Sequence, residues 1–476
     1  MTNNKFARNS AAALALTFAV LGVGCVPPEN APVNTNTAVN TSTAPTNANT
    51  APVNAPVNNT ENAARMPVTL PVLDAMFFDE NFIEELKSKL SLSDEQINQL
   101  KTISRQSVEG LTGEDSEESA GSTRQSTVRA QEQIRGVIGA EKANQLFDLV
   151  RTRWSNNESQ MSSAEKPNAV PSDTRIVVNA PGYRMDVFQD GKLLKTYKIG
   201  IGYPEFPLPT GMRKAETVIF NPTWTPPDEP WVKGKVQPGK TVEAGSALNP
   251  LGPIKIPIGL PSLIHGGKNP ARLGTFASHG CVGLTNAQVQ DFSTVLAQIS
   301  GSTLTPEDVK NYEKQKTETK NFKLNNAVPI ELRYETIVIE DGKVKIFRDV
   351  YEHGTNTTAN LKRVLETYGV SYDSLSEEEK QKLIRALNDM NKDAQGNAIV
   401  ENVDSSNGAA PSNSANANSA ANSNANKNSN ANAQNGSSDD GKVTREIKGK
   451  KEVVIEIAQL KGKGYPAPVQ LNAGQK

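Results

Sequence analysis

The residues in this sequence best suited to chemistry are a cysteine and two histidines gathered in one short stretch: His265-Gly266-Gly267, then Ser278-His279-Gly280-Cys281-Val282-Gly283-Leu284. The whole chain has three histidines and two cysteines, so their meeting here sets the stretch apart. A thiol becomes a useful nucleophile when a nearby base or positive charge favours its thiolate, and imidazole is suited to accept that proton near neutral pH. Glycine beside each reactive residue lets the backbone bend sharply. It also lets a substrate approach main-chain N–H groups, which stabilise the oxyanion of a tetrahedral intermediate. Two blander uses compete. A free cysteine packs well in a core, but a His-Gly-Cys setting with a second histidine upstream is poor core material. A zinc site of His265, His279 and Cys281 would lack both a fourth ligand and the paired Cys-x-x-Cys spacing of structural zinc. No metal and no cofactor is expected.

The elements that must position these groups are strands. At Thr174 the apolar period changes from helical to alternating, and residues 175–179, 183–188 and 193–199 read as short strands. Ala180-Pro181-Gly182 and Asp190-Gly191 separate them as turns. Further strands are expected at 214–220, 254–258, 328–339 and 343–347, the last two joined by Asp341-Gly342. Strands at this spacing with Gly and Pro turns suggest a β-sandwich or barrel rather than a parallel sheet. One helix interrupts them: Thr285 and Gln288 form a capping box, and Val289, Phe292, Leu296 and Ile299 give it an apolar face.

His-Gly followed by Ser-His-Gly-Cys strongly resembles the YkuD-type L,D-transpeptidase family. The opening meander with Ile199-Gly200-Ile201-Gly202, the turn Pro209-Thr210-Gly211, the run Asn221 to Pro227 and Leu251-Gly252-Pro253 agree with it. The resemblance covers residues 174–300 and extends to about 353. It implies a mainly β fold: a YkuD-like β-sandwich catalytic domain with one inserted helix, joined here to a small N-terminal α-helical domain and disordered linkers. It also implies roles. Cys281 matches the nucleophile and His265 the general base, oriented by a main-chain carbonyl from Gly266 or a neighbour rather than by a carboxylate. Gly280 and Cys281 would offer N–H groups to the oxyanion, with His279 and Ser278 shaping that wall. One departure stands out: the family commonly has arginine two residues after the cysteine, where this chain has Gly283.

Apolar residues make up 36% of the chain, so a large part of its length has no core to bury. Lysine and arginine number 51 against 52 acidic residues, which leaves no field to attract nucleic acid. Lys5, Arg8 and the apolar run 11–23 read as an export signal too short to span a bilayer. Its end, Leu21-Gly22-Val23-Gly24-Cys25, resembles a bacterial lipoprotein signal with Cys25 as the lipidated residue. The chain thus divides into a signal (1–25), an Asn/Thr/Ala/Pro tether (26–66), a helical domain (67–155), the catalytic domain (174–354), a helical extension (355–398), an Asn/Ser/Ala tract (399–441) and a C-terminal strand segment (442–476). In the helical domain Phe82, Leu86 and Leu90, Ile97 and Leu100, then Ile134, Ile138 and Leu146 recur at helical spacing. Ser93 and Gln96 there have the form of a capping box. The strand near 452–460 needs a partner and is expected on a sheet edge of the catalytic domain or as a docking element.

The resemblance implies an exported, envelope-facing enzyme, held to a membrane by a lipid anchor, that acts on peptidoglycan stem peptides and forms 3-3 cross-links. The helical domain offers a surface for a protein partner. With the same nucleophile, transfer of the acyl group to water, as in an L,D-carboxypeptidase, or to a protein amine is the alternative. A non-catalytic wall-binding scaffold is the reading from another class. His353 is read as an exposed turn residue.

Overall fold

Apolar residues at helical spacing build the first part of the chain into α1 (Leu70–Met76), α2 (Glu80–Leu90), α3 (Asp94–Glu109), α4 (Thr123–Ile138) and α5 (Ala140–Trp154). Each buries one stripe, and Leu73, Phe82, Leu86, Ile97, Leu100, Ile134, Leu146 and Val150 meet in a shared core. The computed structural model describes residues 67–77, 79–109, 122–154, 166–226, 236–237, 239–259, 262–399 and 447–469. The export signal with Cys25, the tether 26–66, the 399–441 tract beyond its first residue and most of the 110–122 loop lie outside the described residues. Helix starts are closed by side chains, as the sequence indicates: Ser93 and Gln96 exchange bonds of 3.1 and 3.2 Å at the head of α3.

The strands that follow are β1 (Arg175–Asn179), β2 (Arg184–Gln189), β3 (Lys192–Lys198), β4 (Ile201–Gly202), β5 (Gly211–Phe220), β6 (Ile254–Pro257), β7 (Leu263–His265), β8 (Phe276–Ser278), β9 (Val282–Gly283) and β10 (Lys320–Arg333). Eight of them form one sheet in the order β3-β2-β1-β10-β5-β6-β7-β9, while β4 and β8 pair separately. The domain is sheet-rich, but its main sheet is mixed: β1 runs parallel to β10, and β7 parallel to β9. Two helices lie between β9 and β10. The first, α6 (Asn286–Ile299), carries the Thr285–Gln288 capping box read from the sequence. It buries Val289, Phe292 and Leu296 in the sheet's core. The second, α7 (Pro306–Lys314), is capped by Thr305 and was not expected.

The run 328–339 reads as one strand in sequence and is two in space. Between β10 and β11 (Ile337–Glu340) the chain turns at Tyr334-Glu335-Thr336, where the Asn179 side chain bonds both the N–H and the C=O of Glu335 at 2.9 Å. β11 then joins β12 (Lys343–Phe347) and β13 (Glu452–Glu456) in a second, three-stranded sheet. Helices α8 (Thr358–Thr367) and α9 (Glu377–Met390) cover that sheet, with Ile339, Val344, Ile346, Leu361, Leu365, Leu383 and Ile455 in the core between them. The C-terminal strand thus finds its partner in β12, in register Ile455 to Val344.

The helical bundle touches the sheet domain through its caps. Thr69 Oγ1, at the start of α1, donates to Glu205 O at 2.6 Å, and Thr123 Oγ1, at the start of α4, to Pro204 O at 2.8 Å. Ser122 Oγ donates to the Glu352 carboxylate at 2.8 Å. No described helix is long and apolar enough to cross a membrane.

Candidate active site

His265 ends one very short strand, and Cys281 immediately precedes another that lies beside it. In the parallel ladder of β7 and β9, Ile264 is partnered by Val282 and His265 by Gly283. Side chains alternate along a strand, so residues two apart share a face. His265 and the Gly283 position therefore belong to one face, and Cys281 stands just before β9, two residues ahead of Gly283. His265 is buried, and its Nδ1 lies 2.7 Å from Gly266 O. A carbonyl oxygen only accepts, so this contact puts the proton on Nδ1 and leaves a lone pair on Nε2.

Cys281 follows a sharp turn. Gly280 has φ +88, the left-handed region open to glycine. Ser278 Oγ bridges both backbone groups of the cysteine: it accepts from Cys281 N–H at 3.1 Å and donates to Cys281 C=O at 2.6 Å. This corrects one expectation, since the Cys281 N–H is already taken by the hydroxyl. Among the described residues no hydrogen-bond partner meets the Gly280 N–H. The Gly280 carbonyl is held by Ser262 Oγ at 2.9 Å.

His279 forms wall rather than centre. Its ring packs edge-on against Tyr203 and Phe206, with centroids 5.0 and 4.8 Å away. Tyr203 N–H in turn donates to Ser278 O at 2.8 Å. The Tyr203–Phe206 loop passes so close that a Cβ on Gly202 would stand 2.1 Å from Phe206 O and 3.1 Å from Gly280 N. This loop is the one that Thr69 and Thr123 bond from the helical bundle.

Some residues that shape the site carried no signal in the sequence. Asn286, the first residue of α6, accepts the Gly267 N–H on its Oδ1 at 2.7 Å and so fixes the turn that carries Gly266 O. Its capping neighbour was legible, but its target lies in a loop that only folding brings near. Tyr351 Oη donates to Gly202 O at 2.9 Å and accepts from Leu208 N–H at 3.1 Å. His353 is not an exposed turn residue: its ring stacks on Tyr334 at 3.9 Å, and burial lowers its pKa to about 4.

Burial also sets the charges of the pair. It pushes the Cys281 thiol above its ordinary value, against a backbone hydrogen bond from Leu263 and the charge of Lys268, which pull the other way. Burial, helped by the Lys268 charge, lowers His265 to about 3. Both groups are therefore neutral near pH 7. The Lys268 stem lies against Gly283. A Cβ there would meet the lysine stem at 2.8 Å from Cγ and 3.0 Å from Cε, so the room an arginine would enter is filled from the neighbouring segment. Among the described residues no group of three or more His, Cys, Asp or Glu is placed to hold a metal ion.

The YkuD family model, described as an L,D-transpeptidase catalytic domain, matches residues 173–309. No curated protein matches the chain by sequence. Similar solved structures include the Ldtfm-avibactam carbamoyl enzyme, 17% identical over 34% of this chain and 49% of that one, with a TM-score of 0.22. The catalytic domain from E. faecium L,D-transpeptidase is 16% identical over 35% of this chain and all of that one, with a TM-score of 0.22. An L,D-transpeptidase from Mycobacterium smegmatis is 15% identical over 34% of this chain and 58% of that one, with a TM-score of 0.20. The chain spans about half the length of the first of these. The match of the family model to the segment that holds His265 and Cys281 makes residues 173–309 an L,D-transpeptidase catalytic domain of the YkuD family.

Proposed function

We propose that the chain is a cysteine-dependent acyltransferase that forms 3-3 cross-links between peptidoglycan stems. What supports this reading is the pairing of His265 with Gly283, two residues after Cys281, together with the imidazole tautomer set by Gly266 O. The donor is a tetrapeptide stem. Cys281 Sγ attacks the carbonyl of its L,D-peptide bond while His265 Nε2 takes the thiol proton. Because burial keeps both groups neutral at rest, that transfer accompanies the attack rather than preceding it.

The oxyanion so formed is met by the Gly280 N–H, which the left-handed turn leaves available. Collapse breaks the carbon–nitrogen bond, and the imidazolium returns its proton to the departing D-alanine amine. A thioester on Cys281 remains. An acceptor amine then attacks it, His265 takes the amine proton, the new amide forms and the proton returns to sulfur. Export and lipid attachment at Cys25 belong to the same proposal, as does the division of the chain at 155, 174 and 354.

Incubating the purified protein with disaccharide-tetrapeptide and analysing products by mass spectrometry tests this. A Cys281-linked acyl-enzyme and 3-3 linked dimers are expected, and the folded Cys281→Ala variant should give neither. Persistent cross-linking by that variant would falsify the assignment. Hydrolysis to tripeptide with no dimer would make water the acceptor.

A further inference from the structure

We infer that the helical bundle is a working part of the catalytic site, with Thr69 and Thr123 as its positioning residues. Their hydroxyls hold the loop 203–206, and through that loop the wall of His279 and Gly280, in the geometry acyl transfer needs. The inference rests on the acyl-transfer reading for the reaction, and on a chain of contacts for the coupling.

The first link runs from bundle to loop. Thr69 Oγ1 donates to Glu205 O at 2.6 Å, and Thr123 Oγ1 donates to Pro204 O at 2.8 Å. Both threonines are buried, as are the two loop residues they meet. In such surroundings a carbonyl is held firmly by its donor, because leaving it unpaired is costly. Thr123 is not the cap of α4. Ser122 Oγ fills that role by accepting the Gln125 N–H at 3.2 Å, and the Thr123 hydroxyl serves the sheet domain instead.

The second link runs from loop to site. Tyr203 N–H donates to Ser278 O at 2.8 Å, and the Tyr203 and Phe206 rings stand edge-on to His279 at 5.0 and 4.8 Å. Backbone meets backbone as well, since an ideal Cβ on Gly202 lies 3.1 Å from both N and Cα of Gly280. Gly280 precedes the nucleophile, and Ser278 Oγ bonds both backbone groups of Cys281. Movement of the loop therefore reaches the turn that presents the thiol and the oxyanion donor, where small displacements cost rate.

The ends of the loop are pinned from another side. Tyr351 Oη donates to Gly202 O at 2.9 Å and accepts from Leu208 N–H at 3.1 Å. The next residue, Glu352, accepts from Ser122 Oγ at 2.8 Å, which ties the Tyr351 segment to the head of α4. Tyr351 thus clamps the ends of the loop while the bundle clamps its middle.

Acyl transfer and alkylation of the same thiol separate positioning from mere support. Iodoacetamide reacts by displacement and builds no oxyanion, so it reports thiol access and ionisation alone. In the full chain, Thr123→Val keeps the side chain's shape and removes its hydroxyl. It should lower the maximal rate of Cys281 acylation by disaccharide-tetrapeptide about ten-fold, with little change in the donor concentration at half-maximal rate. Alkylation should keep the parent's rate. Thr123→Ser restores the hydroxyl and should restore acylation, and Thr69→Val, acting from another helix on the next carbonyl, should repeat the Thr123→Val pattern. Thermal unfolding confirms that each variant is folded, and deuterium exchange should quicken in peptides 203–208 and 278–281 of both valine variants. Unchanged acylation in the two valine variants, or equal losses of acylation and alkylation, overturns the proposal. If the unsubstituted chain is never acylated while exchange still responds to Thr123→Val, the acyl-transfer reading falls and the bundle's hold on the wall stands.

Discussion

His265 and Gly283 are direct partners in the parallel ladder of β7 and β9, so the imidazole stands beside a position without a side chain. Two consequences follow from that pairing. It sets Cys281 two residues before the imidazole's ladder partner, and it admits the Lys268 stem from a neighbouring segment.

The half-buried Cys281 thiol should be slow to ionise. Alkylation of Cys281 by iodoacetamide is expected to rise about ten-fold per pH unit through and beyond the ordinary thiol pKa of roughly 8.5, with no plateau near neutrality. At pH 8 the folded chain should react more slowly than the chain in urea. A neutral-pH plateau would reveal a preformed thiolate and a different order of proton transfer.

His265 and His353 predict acid sensitivity. Their pKa values fall to about 3 and about 4 in the folded chain, against roughly 6.5 when unfolded. The unfolded chain therefore binds more protons between these limits, so stability rises with pH there and is lost as pH drops from about 6.5 toward 3. Replacing His353 by Phe keeps a ring on Tyr334 and removes one of the two groups. Melting temperatures measured from pH 7 to pH 4 should decline less in that variant than in the parent.

Asn286→Ala should act on the base without unfolding the domain. The Thr285–Gln288 box still caps α6, while the turn at Gly266 and Gly267 loses its anchor. A stability loss of about 1 kcal/mol is expected, with a larger fall in donor acylation measured on the same sample. A proportionate loss of both would mean that Asn286 only supports the fold.

Gly202→Ala should damage the wall. The added carbon would overlap Phe206 O and crowd Gly280, both backbone contacts that cannot swing aside. Overpacking of this kind costs roughly 1–3 kcal/mol. Denaturant titration should show that loss, and acylation of Cys281 should fall with it. Unchanged stability would show that the loop 203–206 yields easily.

Ending the chain at Asn402 should expose the second core. Ile455 and Ile457 are buried and Leu460 is fully buried, all on the segment removed. At about 1.5–3 kcal/mol for each buried apolar side chain, the three-stranded unit would lose several kcal/mol. Proteolysis within residues 337–390 should accelerate in the truncated chain, and equal resistance would argue that β13 adds little.

Local pattern was legible wherever local physics decides. Alternation marked β1, β2, β3 and β5, and helical spacing marked α2 to α6. Side chains three residues apart marked the caps of α3 and α6, because these contacts are made within one turn or one pleat. The spacing of His265 and Cys281 likewise pointed to thiol chemistry before any fold was known. The sequence could not show β7, β8 and β9, which are two or three residues long and carry no readable period. Nor could it show that residues 328–339 break into two sheets, that 452–456 returns to β12, or that Ser278 occupies the Cys281 N–H. Those outcomes depend on which distant backbone segments pair and on which side chain fills a gap. Packing decides both only when the whole core closes, and so tertiary structure alone placed Lys268 in the space left by Gly283.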